Sequence, residues 1–159
     1  MESEEKFYTV RGYQLLKDNK EIITSGMEDY LEMIYRHGAK EGYIRINILA
    51  KLLNVKPSSV TKMVQKLSLL DMVDYKKYGV VILTEKGKEL GAFLLNRHNI
   101  IETFLNNMQV DSSLQDVELI EHDINKNILE SLNLLNEFFK EFPRIKDEFC
   151  IFKEKYKKV

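Results

Sequence analysis

The chain has 159 residues, 44% of them hydrophobic and 31% charged, with 24 basic against 25 acidic side chains. That is the composition of a globular protein with one ordinary or two small domains, and it excludes collagenous, disulfide-scaffolded and low-complexity classes. No run approaches the eighteen apolar residues of a membrane span, the charged start Met1-Glu2-Ser3-Glu4-Glu5-Lys6 is unlike a signal peptide, and the expected location is the cytoplasm. The single cysteine, Cys150, leaves no internal disulfide and no multi-thiolate zinc site, and reads as a small packed hydrophobe.

The near-zero net charge hides a division. Residues 51–77 carry six lysines against two aspartates, whereas residues 110–126 carry five acids against one lysine. Opposite charge in two segments suggests two jobs.

In chain order, residues 1–26 form an extension without clear periodicity. Met27, Tyr30, Leu31 and Ile34 then fall on one stripe of an amphipathic helix ending near Gly38, where His37 is a C-terminal helix residue. A second stripe, Ile46, Leu49, Ala50 and Leu53, predicts a short helix to about Asn54 with Asn47 as its N-cap. Pro57 suits a first helical position, and Val60, Met63, Val64 and Leu67 repeat the stripe, so the pair is a helix-turn-helix candidate. Past Leu70 come two β-prone runs, Met72–Lys76 and Val80–Leu83, joined by Lys77-Tyr78-Gly79, which predicts a hairpin wing. Thr84 can cap a long helix over about residues 85–107, striped by Leu90, Leu94, Ile101 and Leu105. A loop near Val110–Ser113 should precede two or three more helices, over about Ser113–Asn125, Asn127–Phe142 and a frayed basic tail after Pro143. The fold class expected is mainly α with a small β-hairpin: a winged helix-turn-helix domain over residues 27–90 and a helical metal-binding and dimerisation domain over 91–159.

Three surfaces carry chemistry. The outward residues of the third helix, Ser58, Ser59, Thr61, Lys62, Gln65 and Lys66, are hydroxyls, an amide and cations suited to base edges and phosphates in a major groove. Lys56 before that helix, and Lys76 and Lys77 at the wing with Tyr75 and Tyr78, suit the flanking backbone of double-stranded DNA. The greasiest segment, with Ile128, Leu132, Leu135 and Phe139, points to a subunit interface and hence a homodimer.

The third surface is a candidate metal cluster. Asp29 and Glu32 share one side of the first helix at i, i+3; Glu118, Glu121 and His122 share a face of a later one; and His98 lies on the apolar stripe of the long helix. Oxygen-rich donors with imidazole and no thiolate suit manganese, ferrous iron or zinc, with room for two ions. Each residue also has a plainer role open to it: Glu32 can pair with Arg36, Asp29 can be a helix N-terminal charge, and His98 a satisfied core histidine.

The chain resembles the diphtheria-toxin-repressor-like metalloregulators, most closely their short manganese-transport-repressor branch. The resemblance runs from about Met27 to Phe142 and is carried by Met27–Glu32, Lys56–Leu67, Leu83–Lys88, Arg97-His98 and Asp116–His122. It implies that Asp29, Glu32, His98, Glu118, Glu121 and His122 bind the activating metals, and that a homodimer represses metal-uptake genes from a near-palindromic operator with half-sites about one helical turn or more apart. Asp29 stands where iron-sensing relatives usually carry Met, which implies Mn2+ over Fe2+ or Zn2+ as the signal; an iron-responsive repressor is the alternative within the family. The extension before residue 27 and the Lys-rich tail after Pro143 match no motif of the branch. Two other classes compete: a carboxylate-bridged di-metal enzyme, disfavoured because Glu-x-x-Glu-His has no second copy, and a winged-helix regulator of an organic ligand.

Overall fold

The computed structural model describes residues 12–17, 23–38, 41–111 and 114–156, with side chains of the α6 helix from residue 116 onward. Most of the N-terminal extension, the Ser112-Ser113 part of the predicted loop and the last three residues therefore lie outside the described residues. The chain divides into two compact units, residues 1–95 and 96–159.

In the first unit a short helix α1 (residues 12–17) precedes α2 (Ser25–Gly38), β1 (Ile44–Arg45), α3 (Ile46–Leu52), α4 (Pro57–Leu69), β2 (Val73–Lys76) and β3 (Val80–Leu83). Most of the expected stripe residues are buried: Met27, Leu31 and Ile34 on α2, Ile46, Leu49 and Ala50 on α3, and Val60, Val64 and Leu67 on α4, with Tyr30, Leu53 and Met63 half-buried. Burial of three consecutive stripes against one another is what makes short helices of this kind stable at all. The turn between α3 and α4 uses Asn54 in the left-handed region (φ 52°), and the Val55 amide closes it on Ala50 O at 3.0 Å. Pro57 occupies the start of α4, where its missing N–H costs nothing. The N-cap of α3 is Arg45, without a side-chain bond, and not Asn47, because Ile46 already joins the helix directly from β1.

The hairpin of β2 and β3 is present, with Val73 opposite Leu83 and Lys76 opposite Val80. Its turn, Lys77–Gly79, places Tyr78 (φ 63°) and Gly79 (φ 71°) in the left-handed region. β1 adds a third antiparallel strand through Ile44 opposite Val81, giving the order β1-β3-β2.

Helix α5 (Glu85–Asn107) begins in the first unit and continues into the second. Thr84 caps it as expected, its Oγ1 accepting from the Gly87 amide at 3.0 Å. The second unit continues with α6 (Leu114–Glu121), α7 (Lys126–Glu141) and α8 (Pro143–Tyr156). α6 stops four residues before the expected Asn125 because Asn125 is the N-cap of α7, accepting from the Ile128 amide at 3.1 Å. The segment after Pro143 is a 14-residue helix and not a frayed tail. Pro143 opens it, and Lys153 Nζ reaches the Met108 carbonyl and, at 2.8 Å, that of Gln109, so the end of α5 is capped from α8. The half-buried Cys150 sits on this helix. Between α5 and α7, the buried Asn136 donates from Nδ2 to Ile100 O at 2.9 Å and accepts on Oδ1 from Asn107 at 3.0 Å. Among the described residues no helix is long and apolar enough to cross a membrane.

Candidate metal centre and DNA interface

The DNA-facing candidates are placed by the buried stripe of α4. With Val60, Val64 and Leu67 inward, Ser58, Ser59, Lys62, Gln65 and Lys66 are exposed, while Thr61 is half-buried. The Thr61 hydroxyl donates to Pro57 O at 3.0 Å, so its proton is committed to its own helix and only its acceptor lone pairs and methyl face outward. Lys56 is the exposed N-cap of α4. It lines an open groove with Asn47, Lys51, Asn54 and Ser59, and the contributions of Asn47, Lys51 and Asn54 escaped the sequence reading. The signal for them was the turn itself: polar residues on either side of a left-handed Asn share the concave side of the helix pair. At the wing, Lys76 pairs with Asp74 at 3.3 Å with both side chains more than half exposed, which leaves a weak, easily exchanged contact. Lys77 is exposed, and Tyr78 is held outward with 91% of its surface accessible.

The six candidate ligands fall in both units. In the first, Asp29 and Glu32 stand one turn apart on α2, Asp29 half-buried and Glu32 buried. Arg36 Nη2 meets Glu32 Oε1 at 2.6 Å, so the plainer pairing open to Glu32 from its i, i+4 spacing does form. Burial pushes the neighbouring Tyr30 phenol up from its ordinary value.

In the second unit His98 and Glu121 are both buried, and His98 Nδ1 lies 3.0 Å from Glu121 Oε2. His98 therefore occupies the interior position that the stripe of α5 requires. Arg97, buried to 1% exposure, extends Nη2 to within 4.0 Å of Glu121 Oε1 and 3.5 Å of His122 Nδ1. This arginine was not singled out as a site residue from the sequence, although it interrupts the apolar series Leu90, Leu94, Ile101 on the buried side of α5; a cation in such a position needs a buried anion beside it. Glu118 and His122 are half-buried. Glu121 is the last residue of α6 and His122 lies just beyond it, so the expected single helical face bearing all three is broken at its third member. The cause is the early end of α6 described above.

The donor set fits a divalent cation. Two donors in adjacent positions on an octahedral ion at about 2.1 Å lie about 3 Å apart, and the His98 to Glu121 separation is 3.0 Å. In the absence of an ion the same approach is a hydrogen bond from the imidazole to the carboxylate.

The residues expected at a subunit interface lie on α7. Ile128 is exposed, Leu132 and Leu135 are half-buried, and Phe139 is buried within its own unit, where its ring lies 5.9 Å from Phe138 and 6.4 Å from Phe149. Among the described residues of this unit, Leu134 and Leu119, at 73% and 77% exposure, are the large aliphatics left most open.

Comparison with known proteins assigns most of the described region. Residues 23–81 match the iron dependent repressor N-terminal DNA binding domain, and residues 84–150 match the iron dependent repressor metal binding and dimerisation domain. The HTH-type transcriptional regulator MntR of Oceanobacillus iheyensis is 42% identical over 139 residues, covering 86% of this chain and 95% of that protein. MntR of Bacillus subtilis (strain 168) is 43% identical over 122 residues, covering 76% and 86%. Among solved structures, the manganese regulator SloR aligns with a TM-score of 0.63 at 30% identity, over 73% of this chain and 55% of SloR, so the chain spans about half the length of that structure. The chain belongs to the iron dependent repressor family, and is a metal-dependent, DNA-binding transcriptional repressor rather than an enzyme.

Proposed function

We propose that the chain is a manganese-activated repressor of metal-uptake genes, acting as a homodimer on an operator in the cytoplasm. The observation that carries this reading is the buried His98–Glu121 pair, inside the segment that matches the family's metal-binding domain. The names of the relatives, MntR and the manganese regulator SloR, support manganese over iron, and so does the harder donor set with Asp29 in place of a thioether.

The proposed ligands are Asp29, Glu32, His98, Glu118, Glu121 and His122, holding one or two ions per subunit. Asp29 and Glu32 belong to the stretch matched to the DNA binding domain, whereas the other four belong to the stretch matched to the metal-binding domain. A cation supplies positive charge that offsets the repulsion between neighbouring carboxylates. Ligation by Asp29 and Glu32 on α2 would make the helix-turn-helix unit responsive to the ion, because binding energy favours the state that binds it. The domains proposed are residues 27–90 for DNA and 91–159 for metal and dimer, with α5 as the link. Ser58, Ser59, Thr61, Lys62, Gln65 and Lys66 read the major groove, and Lys56, Lys76 and Lys77 grip phosphates. The exposed aliphatics of α7 and α6, Ile128 among them, with Leu132, Leu135 and Phe139 behind them, supply the dimer contact.

A titration of duplex DNA selected from a random pool, with and without manganese and repeated on Glu121→Ala, tests the reading. Manganese should tighten binding by wild type and leave the variant unchanged. Equal binding in all four conditions would discard metal control.

A further inference from the structure

Three consecutive carbonyls at the trailing end of α4 are each engaged by the segment that opens α5. α4 ends with Asp71 in the left-handed region (φ 58°), the Asp71 amide on Ser68 O at 3.1 Å and the Met72 amide on Leu67 O at 3.0 Å. This is the closure that helices usually make through glycine. The next carbonyls then turn toward α5: Lys86 Nζ donates to Leu70 O at 3.0 Å, Thr84 Oγ1 to Asp71 O at 2.7 Å, and the Thr84 amide to Met72 O at 3.1 Å. Gly87 allows the approach, because a Cβ there would sit 1.9 Å from Met72 O.

Thr84 and Gly87 are accounted for by the cap and by the close backbone contact. Lys86 is not. A cation in the first turn of a helix opposes the helix dipole, and an exposed lysine there would point to water. Lys86 is instead half-buried and runs back to the end of a different helix, where a cation and a donor are both favourable.

We propose that Lys86 is a positioning residue for operator recognition: it fastens the C-terminal end of α4 to the first turn of α5 and so sets the pitch at which the exposed face of α4 meets DNA. The inference rests on the reading of α4 as the recognition helix. Base readout tolerates displacements of only about 0.5 Å, and α4 spans about 20 Å at 1.5 Å per residue. A small swing of its free end therefore misplaces Gln65 and Lys66, which lie in its last two turns.

The test uses the full chain as wild type, Lys86→Met and Lys86→Arg. Amide exchange is followed over residues 67–72, and affinity is measured for a duplex selected from a random pool by manganese-loaded wild type and for a scrambled duplex, across a series of salt concentrations. For Lys86→Met, exchange at Asp71 and Met72 should quicken and affinity for the selected duplex should fall about ten-fold, the loss of one charge-assisted hydrogen bond. Scrambled-duplex affinity and the salt slope should hold, because no phosphate contact is lost. Lys86→Arg should restore both readouts. Equal loss on both duplexes with a shallower salt slope would overturn the proposal by making Lys86 a phosphate contact, and unchanged exchange would overturn it by making the link idle. A wild type that selects no sequence would sink the reading of α4, while the exchange comparison would still decide whether Lys86 holds the helix end.

Discussion

His98 and Glu121 face each other across 3.0 Å, Nδ1 to Oε2, with both side chains almost wholly withdrawn from solvent. Each of these atoms is a donor to a cation when the proton between them leaves, so ion binding and this hydrogen bond are alternatives. Glu121→Gln keeps the shape and the contact with His98 but removes the charge. Manganese affinity should fall by about 10–100-fold or more, read by titration calorimetry. Affinity within two-fold of wild type would remove Glu121 from the ligand set.

Arg97 approaches the same carboxylate from the other side, Nη2 to Oε1 at 4.0 Å, and also meets His122. Arg97→Met should cost the metal-free protein about 1–3 kcal/mol, visible as a lower thermal midpoint. The manganese-loaded protein should lose less, since the bound cation then supplies the positive charge that Glu121 needs. Equal losses in the two states would show that the guanidinium and the ion do not serve the same group.

On α4, Lys62 and Gln65 are exposed one turn apart. Replacing both with alanine should erase sequence preference, because each good base contact is worth about 1–3 kcal/mol of discrimination. Melting and manganese titrations should match wild type, since neither side chain enters the core. A retained preference in a selection from a random pool would move the reading surface elsewhere.

The glycines of α5 predict a graded series. At Gly91 a Cβ would stand 2.7 Å from Tyr35 Cβ, and at Gly87 it would stand 1.9 Å from a backbone oxygen. Overpacking of this kind costs about 1–3 kcal/mol and sometimes more. Gly87→Ala should be the more destabilising, because a carbonyl fixed in the β2 strand region has less freedom than a helix that can shift by tenths of an ångström. Denaturant midpoints of the two variants order them directly, and the reverse order would contradict the packing described for α5.

What could be read from residue order is what burial repeats. The stripes of α2, α3 and α4 announce themselves because Leu31, Ile34, Leu49, Val60, Val64 and Leu67 are all buried at helical spacing. α8 was read only as a frayed tail because it has no buried residue at all; Arg144 pairs with Glu148 on its exposed side and Lys153 reaches the end of α5, and neither contact leaves a hydrophobic period. β1 is two residues long, too short for alternation, and exists only because Val80 and Val81 offer it an edge. In the site, His98 was legible as an interior imidazole. Arg97 was not, since a charged residue beside an apolar stripe is ordinarily solvent-facing and only the buried Glu121 explains it.

Asn136 brings an amide into the seam between α5 and α7, bonded to Ile100 O on one side and to Asn107 on the other. Greasy surfaces slide past each other with little penalty, whereas a directional bond is satisfied at a single rotation of α7 about its axis. The outward pattern of this helix is thereby decided by a polar side chain that itself stays inside: Asn136 chooses which of the leucines on α7 look outward.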